Sequence, residues 1–106
     1  MNDLMGMMKK AQQLQARMQE IQTELAGTEV EGRAGGGLVT VTLDGKGGMR
    51  RVHIDPSLMK PDEAEIVEDL ILAAVGDARA KVETLVTEKM KDATQGLPIP
   101  PGMKLF

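Results

Sequence analysis

The chain has 106 residues, 42% of them hydrophobic, and a formal net charge of −3, which fits one small domain and excludes wholesale disorder. It contains no cysteine, which excludes disulfides and thiolate metal sites, and it has no run of about 18 apolar residues, which excludes a transmembrane helix. A single aromatic residue and a mildly acidic balance argue against single-strand base stacking and against a general attraction to nucleic acid.

The first predicted element is a long helix over residues 3–26. Gly27 is predicted to cap its C-terminal end. Apolar side chains recur at alternating spacings of three and four residues, which is the heptad pattern of a helix with one apolar side. A stripe this narrow predicts a helical partner as well as a sheet. Its members are Leu4, Met7, Ala11, Leu14, Met18, Ile21 and Leu25.

Two short strands are predicted next. Residues 28–34 alternate in polarity, although Gly32 is expected to weaken this strand because glycine loses the most entropy on ordering. The glycines of 35–37 then reverse the chain. Residues 38–43 form the second strand, in which every second side chain is apolar and faces the core.

A hairpin turn over residues 44–48 leads into the third strand, residues 49–54. Val52 and Ile54 are predicted to face inward, with Arg51 and His53 outward. The three strands together predict an antiparallel meander.

The second predicted helix opens near Pro61 and ends at Gly96. Residues 66–80 are apolar on nearly all sides, which predicts burial on more than one side. Residues 82–94 contain only five apolar side chains, the others being charged or polar, and are predicted to run into solvent. We therefore expect a single domain over residues 1–96, followed by an extended proline-rich tail over residues 97–106.

The lengths of the helices predict self-association. At about 1.5 Å per residue the first helix spans roughly 36 Å and the second roughly 50 Å, whereas a compact domain of this size has a radius of gyration of about 13 Å. Three short strands also leave bare sheet edges. The expected fold is therefore α+β, with two long helices around the meander, and a homodimer resolves both problems at once.

Several segments spread along the chain resemble one bacterial family, the YbaB/EbfC nucleoid-associated proteins. The resemblance implies a dimer with helical arms that project like tweezers, bind duplex DNA and alter its conformation, with roles in nucleoid organisation and gene regulation. The segments that carry it cover residues 8–15, 30–39, 45–47, 52–58, 68–75 and 96–100.

Two motifs have competing interpretations. The glycines around Lys46 resemble a phosphate-binding nest, but a phosphate loop needs Ser or Thr after the lysine and then a helix, so turn chemistry is favoured. The carboxylates from Asp62 to Asp69 suggest a hard-metal site, but acidic residues also stabilise the start of a helix. His53 has no second ligand or triad partner nearby in the sequence. No metal and no cofactor is therefore expected.

Basic residues carry the DNA-binding hypothesis, since Lys and Arg neutralise phosphates and Gln forms hydrogen bonds to phosphates or base edges. A solvated helix face is the alternative interpretation for both helices. The lysines of the second helix are interleaved with acidic residues, so the first helix is the stronger candidate. The candidates are Lys9, Lys10, Gln13 and Arg17 on the first helix and Lys81, Lys89 and Lys91 on the second.

The sequence thus predicts a homodimeric, non-enzymatic protein that binds duplex DNA with limited sequence preference in the bacterial nucleoid. Residues 1–4 lack the basic and apolar regions of a signal peptide, so a cytoplasmic protein without membrane contact is expected. The rival hypothesis is an adaptor that docks replication or recombination proteins through its apolar stripe and methionines, without contacting DNA itself. An enzyme is disfavoured because the sequence shows no nucleophile–base pair or metal cluster.

Overall fold

The computed structural model of the chain describes residues 2–94. Met1, the predicted helix end at Gly96 and the predicted tail over 97–106 lie outside the described residues. The predicted α-β-β-β-α order and the antiparallel meander are confirmed. The elements are α1 (Asn2–Gly27), β1 (Glu29–Ala34), β2 (Val39–Asp44), β3 (Met49–Ile54) and α2 (Ala64–Thr94), with short 3-10 turns at Gly35–Gly37, Pro56–Leu58 and Pro61–Glu63.

The main core lies between the sheet and α2. β2 is the central strand, and its inward side chains Val39, Val41 and Leu43 are buried as the alternation predicts. They pack with Ala74 and Ala78 of α2, whose small side chains let the helix approach the sheet. The helix lies over β1 and β2 and makes few contacts with β3.

Gly32 has a packing role that its predicted weakening of β1 did not anticipate. A Cβ atom at this position would lie 2.1 Å from the carbonyl oxygen of Ala74 and 2.5 Å from the backbone nitrogen of Ala78. The absence of a side chain therefore allows α2 to touch the backbone of β1.

Burial along α2 differs from the prediction in both halves. In its first half the helix is buried on one side only within this chain, and Leu72 remains 72% exposed. In its second half the prediction of a solvated helix is wrong, because Met90 is buried against Ile21 and Leu25 of α1. Few apolar residues suffice there, since Val82, Leu85, Val86, Met90 and Ala93 recur at helical spacing and form one stripe.

The C-terminal end of α1 is held by the hairpin rather than by a glycine cap. Gly27 is the last residue of α1 and does not have the positive φ of such a cap. The backbone N–H of Gly45 instead donates to the carbonyl of Leu25 at 2.8 Å, and the Thr28 hydroxyl donates to that of Glu24 at 2.7 Å. These bonds satisfy carbonyl groups that a helix end leaves open.

Candidate nucleic-acid interface

The N-terminal half of α1 projects from the body of the protein. Every residue from Asp3 to Gln13 is exposed, and partial burial begins at Leu14. The molecule accordingly measures 72 Å in its longest direction and 25 and 16 Å in the other two. We call residues 3–13 the arm. Among the described residues no other element covers it, so it can meet a large partner such as a duplex.

Two of the predicted DNA-binding cations lie on the arm without an acidic partner. Lys9 and Lys10 are exposed and make no salt bridge to any residue of the described chain. Gln13 is exposed four residues after Lys9, so the two side chains share one side of the helix. These three side chains are thus available together for phosphates and base edges.

Arg17 continues this line of residues but is engaged within the chain. Its guanidinium donates to Glu20 at 3.0 Å and to Glu24 at 3.5 Å. Glu24 also accepts a hydrogen bond at 2.9 Å from Lys89 of α2. The hydrogen bond from Lys89 is the largest of the effects that lower the pKa of the Glu24 carboxyl, with Arg17 contributing less. The Glu24 carboxylate therefore binds Arg17 within α1 and Lys89 of α2, and the bond from Lys89 joins the two helices.

Lys81, another predicted candidate, binds to the edge of the sheet. Its ammonium donates to the carbonyl of Glu31 at 2.7 Å and lies 3.4 Å from Asp77. The backbone N–H of Arg33 donates to the Asp77 carboxylate at 3.0 Å, and this bond is the main cause of the lowered pKa of Asp77. Lys81 and Asp77 of α2 thus bind backbone groups at the edge of β1 that would otherwise be open to pairing with another strand.

Lys91, the last predicted candidate, is exposed near the end of α2. It shares a shallow groove with Glu83 and Glu88, so acidic groups surround it as the sequence indicated. The structure therefore groups Lys9, Lys10 and Gln13 on the arm and places the other candidates elsewhere.

The glycine turn after β2 is occupied by its own carboxylate. Asp44 accepts from the backbone N–H groups of Lys46 and Gly48, each at 2.9 Å, and from Arg50 at 3.1 Å. The two backbone bonds, Gly48 first, lower the pKa of Asp44. The N–H groups that a phosphate nest would offer are therefore already bonded, which agrees with the turn interpretation.

Three further cations were not selected from the sequence. Lys46, Lys60 and Arg79 are exposed and form no salt bridge within the described chain. The sequence is an incomplete guide to pairing, because some cations pair with an acidic residue three or four positions away, as Arg17 does with Glu20, and others with a group that the fold brings close, as Lys89 does with Glu24.

The described residues contain no group of three or more His, Cys, Asp and Glu side chains that could hold a metal ion. His53 is exposed on β3, where its charge contributes to lowering the pKa of Asp55 after the larger effect of Ser57. Among the described helices, none has the length and hydropathy needed to cross a bilayer.

Comparison with known proteins places this arrangement in a family. The chain is 61% identical to the nucleoid-associated protein Atu0095 of Agrobacterium fabrum over 99% of this chain and 98% of that protein. It is 56% identical to the nucleoid-associated protein R00231 of Rhizobium meliloti over the same shares. Its fold is similar to that of an uncharacterized Helicobacter pylori protein, HP0035, with a TM-score of 0.70, 21% identity and coverage of 87% of this chain and 94% of that one. The model of the YbaB/EbfC DNA-binding family matches residues 1–97, and the chain belongs to that family.

Proposed function

We propose that this protein is a homodimeric, non-enzymatic component of the bacterial nucleoid, in the cytoplasm, that binds duplex DNA with limited sequence preference and alters its conformation. Family membership and the names of the relatives support DNA binding in the nucleoid. Roles in nucleoid organisation and gene regulation belong to the same proposal.

The observation that carries the proposal is the cation pair on the projecting arm. Lys9 and Lys10 have no acidic partner in the described chain, whereas Arg17, Lys81 and Lys89 are each held by carboxylates. Unpaired lysines on an exposed helix neutralise phosphates without first breaking an ion pair. Phosphate contacts position a protein on DNA but carry no sequence information, which is consistent with limited preference.

A dimer is supported by an apolar surface that this chain leaves open. Met49 and Val52 pair with Leu43 and Val41 across the sheet, so they lie on the same face as the core. They are nonetheless 52% and 43% exposed, because α2 covers β1 and β2 and makes few contacts with β3. Leu72 of α2 is also exposed. In a dimer with a two-fold axis, each copy presents the same apolar patch to the other, so one interface would cover the open patches of both copies.

The dimer is tested by sedimentation of the full chain and one face-specific pair of variants. The parent should sediment as one species near twice the 11.4 kDa chain mass. Val52→Glu should shift it toward monomer, because a carboxylate would enter the apolar patch. His53→Glu, on the opposite face of the same strand, is the control and should leave the dimer intact. A parent that stays monomeric at micromolar concentration refutes this part of the proposal.

DNA binding is tested by titrating two unrelated duplexes at several salt concentrations. A dimer with both arms engaged presents four arm lysines, so Lys9→Ala/Lys10→Ala should flatten the log–log salt slope by up to about 3.6, at about 0.9 per neutralised phosphate. The loss of affinity should be similar for both duplexes. Arg17→Ala should have a smaller effect, since its guanidinium is already paired.

The matched control is Lys46→Ala/Lys60→Ala, which also removes two unpaired cations but not from the arm. Equal losses in the two double variants would show that net charge, and not the arm, governs binding. Unchanged binding by the folded arm variant would place the interface elsewhere.

The adaptor hypothesis is supported by one feature of the same arm. Leu4, Met5, Met7 and Met8 are all exposed, and methionine-rich surfaces adapt well to protein partners. Failure of the parent protein to bind either duplex at low salt, in a folded sample, would favour this second function over the first.

A further inference from the structure

One side of the arm carries apolar and amide side chains and no carboxylate. The shallow groove on this side is lined by Met5, Gly6, Met8, Lys9 and Gln12. At about 100° per residue, Met5, Met8 and Gln12 lie within about 60° of one another around the helix axis. Asp3, the only acidic residue before Glu20, lies about 160° from Met5. We call Met5, Met8 and Gln12 the contact side of the arm.

The contact side has no role in the fold of the described chain. Met5 is 79% and Met8 57% exposed, although both side chains are large and apolar. A Cβ atom at Gly6 would meet no atom of another described element within 4 Å, so packing does not require a glycine there. Glycine is unfavourable inside a helix, but it lets a ligand approach the backbone closely. These features suit a partner that lies directly against the helix.

The arm has the dimensions of the major groove of DNA. An α-helix with its side chains is about 10–12 Å across, and the major groove is about 12 Å wide and about 8.5 Å deep, whereas the minor groove is only about 6 Å wide. Residues 3–13 extend about 16 Å at about 1.5 Å per residue. The arm can therefore lie in the major groove while the sheet and α2 stay outside it.

The side chains of the arm match the chemistry of that groove. Each A·T pair presents there the C5-methyl group of thymine and the N6 and N7 atoms of adenine. Methionine provides a flexible apolar contact for the methyl group, and glutamine forms paired hydrogen bonds with adenine. Lys9 and Lys10 lie about 40° and 140° from Met5 in the same direction around the helix, toward one wall of the groove and its phosphates.

We propose that the arm lies in the major groove and that Met5 and Met8 contact the methyl groups of thymine. This inference rests on the proposed function, because it specifies how a duplex held by Lys9 and Lys10 meets the arm. Every A·T pair carries one such methyl group, whichever strand holds the thymine. The contacts therefore favour A·T-rich DNA without selecting a particular sequence.

Replacement of thymidine by deoxyuridine in one duplex tests the contact, because it removes only the methyl groups from the major groove. At equal length and salt concentration, the parent protein should bind the deoxyuridine duplex at least about fourfold more weakly, the factor expected for one buried methyl group. Replacement of guanosine by inosine in the same duplex is the control. It removes an amino group from the minor groove and should leave the affinity unchanged.

Paired variants of the full chain show whether the contact side senses the methyl groups. Met5→Ala/Met8→Ala should remove the difference in affinity between the thymidine and deoxyuridine duplexes. Met7→Ala/Met59→Ala also removes two exposed methionines, but neither is on the contact side, so the difference should persist. Alanine is favourable in helices, so the variants at Met5, Met7 and Met8 should keep the helical circular dichroism of the parent.

Equal affinity of the parent for the thymidine and deoxyuridine duplexes would overturn this inference and leave the proposed function in place. A loss of affinity with inosine alone would place the protein in the minor groove and would overturn it as well. A difference that persists in Met5→Ala/Met8→Ala contradicts the inference, because the methyl groups would then be sensed without the contact side. Failure of the parent to bind any of these duplexes at low salt would instead refute the proposed function itself.

Discussion

The two halves of α1 share one sequence pattern and differ in what covers it. Apolar residues recur with the same three-four spacing from Leu4 to Leu25. In the second half Ile21 is fully buried against α2, whereas in the first half Leu4 and Met7 face outward. Both halves are helical over the described residues. The pattern therefore determines that α1 is an amphipathic helix, and the position of α2 determines which part of it becomes core.

The basic residues of α1 also differ between the covered half and the arm. Arg17, in the covered half, reaches Glu24, which Lys89 also reaches from α2. Lys9 and Lys10, in the arm, have no second element beside them in the described chain. The same residue types thus stabilise a helix pair in one half and remain available to a partner in the other.

Truncation of one buried and one open residue of the stripe tests the comparison most strongly. Ile21→Ala should lower the free energy of unfolding by about 2–5 kcal/mol, the usual cost for a fully buried isoleucine. Met7→Ala should lower it by less than about 1 kcal/mol, as for surface positions. Urea titration followed by circular dichroism measures both values. Similar losses at the two positions would mean that the arm is covered as fully as the rest of the helix.

The hairpin contact at the end of α1 provides a smaller effect. A Cβ atom at Gly45 would lie 2.6 Å from the Leu25 carbonyl oxygen, so Gly45→Ala should cost about 1–3 kcal/mol by overpacking. Gly27 has no atom within 4 Å of such a Cβ and has no positive φ. Gly27→Ala is therefore the matched control and should stabilise the chain by about 0.4–1 kcal/mol. Equal results for both glycines in thermal unfolding would exclude a close contact between the hairpin and α1.

The carboxylate shared by the helices provides the smallest effect, and it depends on pH. The pKa of Glu24 is lowered in the folded chain, chiefly by Lys89, so its contribution is present above about pH 4.3, the usual glutamate pKa, and is lost as pH falls through the folded pKa. In Glu24→Gln this part of the acid destabilisation should be absent. Thermal unfolding between pH 6 and 3 measures it, with Glu65→Gln as a control that removes no ion pair of the described chain. Parallel curves for the parent and Glu24→Gln would show that the bridge does not contribute.

The predictions of strands from local alternation were accurate. β3 has the predicted bounds, and the inward residues of β2 are buried as the two-residue period requires. The predicted solvated end of α2 was wrong, because a count of charges along a helix does not show which of its faces meets another helix. The predicted glycine cap at Gly27 was not found; the last carbonyls accept hydrogen bonds from Thr28, next to the helix, and from Gly45 and Arg50, which lie far along the chain.

For the candidate interface, too, some features could be predicted from the sequence and others could not. The residue types that could meet DNA were identifiable from the sequence, because phosphate needs cations and their positions on a helix follow from a fixed period. The sequence by itself also determined the order of the elements and the inward face of β2, since these depend on neighbours a few residues apart. Only the tertiary structure decided that Lys89 is engaged by Glu24 of α1 and that Lys81 reaches the edge of β1, since these partners lie far away in the sequence. The physical reason is that an ion pair requires two groups within about 4 Å, and here that distance is set by the packing of α2 on β1 and α1.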